Sequence, residues 1–321
     1  MGSLVYVHDY KHNQENTRKI FRKMAVWLKC LDKMFEEMDV WIKCSMTRLP
    51  LDVLPKPVLA VARNPVNPSG MLEICIDSVA SARAAADGGA DRVELCAGLP
   101  EGGTTPSAGM IRSVRAVFPG RVMVIIRPRG YDFLYSDDEI GVMSDDIRVA
   151  RDLGADGVVI GCLNADGNVD TTRCALLMKA AGPLDITFHR AFDMARDLPA
   201  AMEAILALGI KRILSSGGRA SVPEGANMLA ELIRRANGRA IIMPGGGITP
   251  DNLADVLRVT GAREIHLSAR HDVPSGMIHR NPGCSMGTFT RGDEYTRREA
   301  SAAMVRRCKE TMDTHFRPTG L

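Results

Sequence analysis

No run in this chain reaches the ~18 consecutive apolar residues that a membrane-spanning helix requires, so no membrane partner is expected. Nor is there a block of basic residues: the net charge is only +3 over 321 residues, which speaks against a nucleic-acid partner. The eight cysteines include no CxxC pair and no zinc-finger spacing, so they read as reduced thiols of the cytosol, with the nucleus as a second compartment. A secretory h-region is absent, because Arg22, Lys23, Lys29 and Lys33 interrupt the apolar positions near the N-terminus. No GxSxG nucleophile occurs and no lysine falls on an inward strand position, which argues against an imine-forming aldolase. What is present is an average globular composition, 45% hydrophobic and 25% charged, with no organic cofactor motif.

Residues 15–43 place Ile20, Met24, Leu28, Leu31, Phe35, Met38 and Ile42 three or four apart, predicting an amphipathic helical extension over 1–49. Five prolines then make 50–70 a linker. From Met71 eight apolar strand-length runs alternate with helical spacing: LEICI (72–76), RVELC (92–96), VMVII (122–126), GVVIG (157–161), ITFHR (186–190), RILSS (212–216), AIIMP (240–244) and EIHLS (264–268). This pattern predicts an α/β chain, a (β/α)8 TIM-type barrel over 71–312, followed by a short tail at 313–321. A recurring glycine, at Gly89, Gly154, Gly209 and Gly261, ends the helices before the even-numbered strands and suits a left-handed cap.

The repeat aligns Val93, Val158, Ile213 and Ile265, which suit a face packed beneath outer helices. The opposite face then turns Glu94, Val159, Leu214 and His266 inward, with Cys96, Gly161, Ser216 and Ser268 as a second layer too small to fill the barrel mouth. Alternation adds Glu73 and Cys75 from the first strand, Arg127 from the third and His189 from the fifth. So many ionisable groups at the carboxyl end of a barrel make Glu73, Glu94, Arg127, His189 and His266 catalytic candidates, with Asp193 able to orient a histidine.

Long stretches carry a resemblance: LEICIDS, GGADRVELCAGLPEGGTTPS, IRPRG followed by DFLYSDDEI, DIRVARDLGADGVVIG, TFHRAFDM, MPGGGIT, and LSAR followed by SGM. In these the sequence resembles the CutC copper homeostasis family, from residue 71 to about residue 312. The resemblance implies a TIM-type barrel, a cytosolic homo-oligomer, and a Cu(I) site at two cysteines that fall on Cys75 and Cys96. Tyr131 departs from the family, which has a second glycine there, and is expected to narrow or cover the mouth. Residues 1–70 have no counterpart in it.

Three chemistries are thus expected. Soft thiolates suit a copper ion, and strands ~4.8 Å apart bring the two cysteines close. A further set of soft ligands, His271, Met277, His279, Cys284 and Met286, lies after the eighth strand. The turn Gly245-Gly246-Gly247, with Thr249 as helix N-cap, Ser216 across from it and Arg127 or Arg129 for charge, suits a small anionic metabolite. Acid–base catalysis on such a substrate by the histidines is the alternative function. The acidic SDDEI (136–140) reads instead as a capping box, Ser136 with Glu139.

Overall fold

The computed structural model describes residues 70–284, 286 and 294–317. The expected helix at 15–43 and all but the last residue of the linker lie outside them. Eight strands follow in order: β1 (Met71–Ile76), β2 (Arg92–Leu95), β3 (Arg121–Ile125), β4 (Gly157–Ile160), β5 (Asp185–Phe188), β6 (Arg212–Ser215), β7 (Ile241–Pro244) and β8 (Glu264–Leu267). Between and after them run α1 (Val79–Asp87), α2 (Ala108–Val117), α3 (Asp137–Asp152), α4 (Thr171–Ala181), α5 (Leu198–Ala207), α6 (Val222–Ala236), α7 (Leu253–Thr260) and α8 (Ala302–Phe316). The final helix reaches four residues into the segment expected as a tail. An antiparallel hairpin, β9 (Arg270–Pro274) with β10 (Thr296–Ala300), is inserted between β8 and α8.

From β1 to β7 each strand pairs in parallel with the next, and β1 also pairs with β8. A single bridge, Gly245 to His266, joins β7 to β8, so the sheet is a nearly closed (β/α)8 barrel. The two faces separate as the alternation requires. Val93, Leu95, Val158, Ile213 and Ile265 lie in the apolar layer packed under the helices. Cys75, Cys96, Met123, Ile125 and Val159 form a second, inner cluster. Local signals place the ends of elements. Gly89, Gly154, Gly209 and Gly261 all adopt positive φ (83, 86, 85 and 68°), stopping helices where a side chain would be strained. Ser136 and Glu139 form the reciprocal capping box of α3.

Three local expectations are corrected. Helix α7 begins at Leu253 with Asn252 at the N-cap position; Thr249 instead exchanges bonds with Asn252 in the preceding turn. Tyr131 does not cover the mouth: it takes a left-handed φ of 66°, as a glycine would, and the residue is 84% exposed. The mouth is not left open either, because the β2–α2 loop folds across it. Leu99 of that loop packs on the inner cluster, and a methyl group placed on Gly103 would come within 3.3 Å of Cys96 Sγ.

Candidate metal centre

Adjacent strands β1, β2 and β8 build the centre. Parallel register pairs Glu73 with both Arg92 and His266, and Cys75 with Glu94. Cys96 follows the end of β2, its N–H bonded to the Ile76 carbonyl. The two thiols meet at Sγ–Sγ 3.8 Å, and Cys96 Sγ lies 3.5 Å from Glu94 Oε2. All three residues are buried, and among the described residues Cys75, Glu94 and Cys96 are the group whose donor atoms converge enough to hold a metal ion, all within 4.8 Å of one another. Both cysteines are free thiols. Cys96 stands two residues beyond the register partner of Cys75, so their Cα atoms are about 8 Å apart, past the ~7 Å over which a disulfide closes without backbone movement. They meet through their side chains alone, as a ligand pair does.

His266 holds the charges in place. Its Nδ1 is 2.7 Å from Glu73 Oε1 and its Nε2 is 3.8 Å from Glu94 Oε2. Burial disfavours the imidazolium, but Glu94, Cys75 and Glu73 outweigh it and raise its pKa well above the ordinary histidine value. Burial also opposes ionisation of Glu73, yet Arg92 and His266 hold it below the usual carboxylate range. The hydrogen bond from Cys96, with help from His266, lowers Cys75 to about 5, while the same bond and burial raise Cys96. Burial pushes Glu94 up to about 8, with the positive charge of His266 offsetting only part of that.

Beneath this centre lies a layer that the sequence reading did not include. Arg92, entirely buried, bonds Glu73 through Nε and Glu264 Oε2 through Nη2 at 2.6 Å; Arg212 Nε bonds the same Glu264 oxygen at 2.7 Å. Two guanidiniums face two carboxylates, so the layer is neutral in itself and offers the centre a fixed, polar floor. The alternation that turns Glu94, Leu214 and His266 inward also turns Arg92, Arg212 and Glu264 inward two residues earlier; that signal was available.

The remaining candidates sit elsewhere. Arg127 and His189 lie on the β3 and β5 side and bond to neither the thiols nor Glu73. Arg129 is spent on Glu139 (Nε–Oε1 2.6 Å) and Asp132, outside the glycine turn. Ser216 does lie beside Gly246, but the guanidinium there is that of Arg190, which donates to Ser216 Oγ at 2.7 Å and pairs with Asp193 at 2.8 Å. Asp193 accepts from Ser215, Ser216 and Gly218 and orients no histidine. Gly245 supplies the bridge to His266, and Gly247 abuts Ser221. Of the loop ligands, His271 is tied to the Glu299 carbonyl within the hairpin.

An eight-stranded barrel with a buried cluster of two thiols and a carboxyl is thus the class that fold and site define. The sequence matches the CutC family over residues 70–271, and the chain belongs to that family. Two relatives show how closely. The copper homeostasis protein cutC homolog of Homo sapiens is 50% identical over 236 residues, 74% of this chain and 86% of that protein. A CutC family protein of Chromobacterium violaceum is 50% identical over 243 residues, 76% of this chain and 98% of that protein. A solved CutC structure from Streptococcus agalactiae superposes with a TM-score of 0.59 at 33% identity, covering 62% of this chain and 98% of that one.

Proposed function

We propose that this member of the copper homeostasis family binds Cu(I) in the cytosol through Cys75 and Cys96, with Glu94 as a neighbouring oxygen donor. The observation that carries this reading is the pair of buried thiols 3.8 Å apart on one wall of the barrel. Thiolates are soft ligands that select a soft monovalent ion, and the apolar neighbours Leu99, Met123, Ile125 and Val159 keep water from competing. The charges favour it as well. Entry of a monovalent cation with loss of one proton from the centre leaves the buried charge unchanged. Free cysteines without CxxC spacing suit a reducing compartment, which supports a cytosolic site.

Titration of the purified apo protein with Cu(I) against a chromophoric Cu(I) chelator tests this. The native chain is expected to withdraw one equivalent and the Cys75→Ser/Cys96→Ser variant none. Equal withdrawal by the two proteins rejects the site.

A further inference from the structure

Next to the wall that carries the thiols, the segments that extend β3 and β5 hold a buried positive charge with no counterion among the described residues. Arg127 is 5% exposed, and its Nη groups donate to neutral carbonyls: Nη1 to Glu101 O and Gly103 O, both at 3.0 Å, and Nη2 to Tyr131 O at 2.8 Å. No carboxylate pairs with it among the described residues, in contrast to Arg92 and Arg212 at the amino end of the barrel. A buried guanidinium left in that state is costly. Its Nε–H is also buried and has no partner.

Three more polar atoms of this region are buried and unpartnered: the Tyr135 hydroxyl, which neighbours Arg127, and, on the inner face, His189 Nε2 and Thr187 Oγ1. Thr187 pairs in register with inward Val159, and His189 follows it two residues on, so both side chains take the inner face. His189 Nδ1 accepts from the Ala191 N–H at 3.1 Å, which leaves the ring proton on Nε2. Phe133 brackets the space: its ring centroid is 5.0 Å from Arg127 Cζ and 5.0 Å from the His189 ring centroid. Burial and then the charge of Arg127 lower the pKa of His189 to about 3, so the histidine is a neutral N–H donor.

Two N–H donors, a hydroxyl and an uncompensated cation define a ligand by what they lack: negative oxygens. We infer that Arg127, Thr187 and His189 form a buried oxyanion site, filled by a small carboxylate or phosphate, on the β3–β5 part of the barrel wall. Water can satisfy the hydrogen bonds but not the charge. The site is independent of copper, since none of its three residues belongs to the metal centre. Arg127 reaches the anion through Nε while Nη1 holds the β2–α2 loop and Nη2 the β3–α3 loop.

Thermal melting of the full-length protein in sodium formate, acetate or phosphate, each against sodium chloride at equal ionic strength, tests the site. An oxyanion is expected to raise Tm saturably. Formate or acetate acting alone makes it a carboxylate site; phosphate acting alone makes it a phosphate site. His189→Phe keeps the ring and removes the donor, and is expected to weaken binding at least tenfold. Thr187→Val, which conserves shape, is the second variant should the first not fold, with at least a threefold loss. The Cys75→Ser/Cys96→Ser variant is expected to bind the anion as the native chain does, which separates this site from the copper reading. A stoichiometric oxyanion released from the acid-denatured protein supports the site equally. No effect beyond that of chloride with no anion released, or binding unaltered in both His189→Phe and Thr187→Val, overturns it.

Discussion

Glu94 is a side chain whose ionisation the inner wall resists, and its cost depends on pH. Burial raises its pKa from 4.5 to about 8, so the folded state holds a proton that the unfolded chain gives up. The stability this contributes is full below about 4.5 and is lost as the pH rises through about 8. In the apo protein Glu94→Gln removes the titration. The Tm of the variant relative to native is therefore expected to climb across that interval; parallel Tm–pH curves would contradict the assignment. At this scale the sequence was informative about type and less so about partners. Period-two alternation turned Cys75, Glu94, Cys96 and His266 to one face, but it does not say which inward groups meet across a barrel. Arg127 and His189 have the right chemistry to join His266, yet strand order places them on another wall. Arg190 went unweighed because alternation within ITFHR turned it to the outer face, whereas the strand ends at Phe188 and the chain turns there.

Among the elements, α6 shows how closely a helix can approach a strand end. Gly225 in α6 faces the Ser216 carbonyl, and a Cβ there would lie 1.9 Å from that oxygen. Backbone on both sides leaves nothing flexible to yield, so Gly225→Ala is expected to cost at least ~2 kcal/mol in urea unfolding. Gly141 in α3 is the opposite case, with nothing within 4 Å of an added Cβ. Gly141→Ala is expected to gain about 0.5–1 kcal/mol, because alanine loses less backbone entropy in a helix. Equal effects from the two changes would refute the packing account. All eight barrel strands were legible in the sequence to within a residue or two, since each is a short apolar run that starts soon after a glycine. The start of α7 was not: Thr249 and Asn252 are both good capping residues, and only the backbone path chooses between them.

In the whole molecule the barrel is sealed at its amino end by charge rather than by branched apolar side chains. Removing one member is expected to expose the cost. Arg92→Met leaves Glu73 and Glu264 short of a partner and should lower unfolding stability by about 3–5 kcal/mol, read from the shift in urea midpoint. A shift under ~1 kcal/mol would mean the layer is hydrated. The barrel itself followed from the count and spacing of the strands, whereas the loop closing the mouth did not, because LPEGG reads as a turn whichever way it folds. One further consequence comes from how the sheet ends meet. Seven interfaces around the wall are laced by ladders, but the eighth is stitched at one point, so the cylinder has a meridian of least stiffness. His266 stands on it, and its ring is the natural reporter of the earliest breathing of the wall, ahead of any global melting.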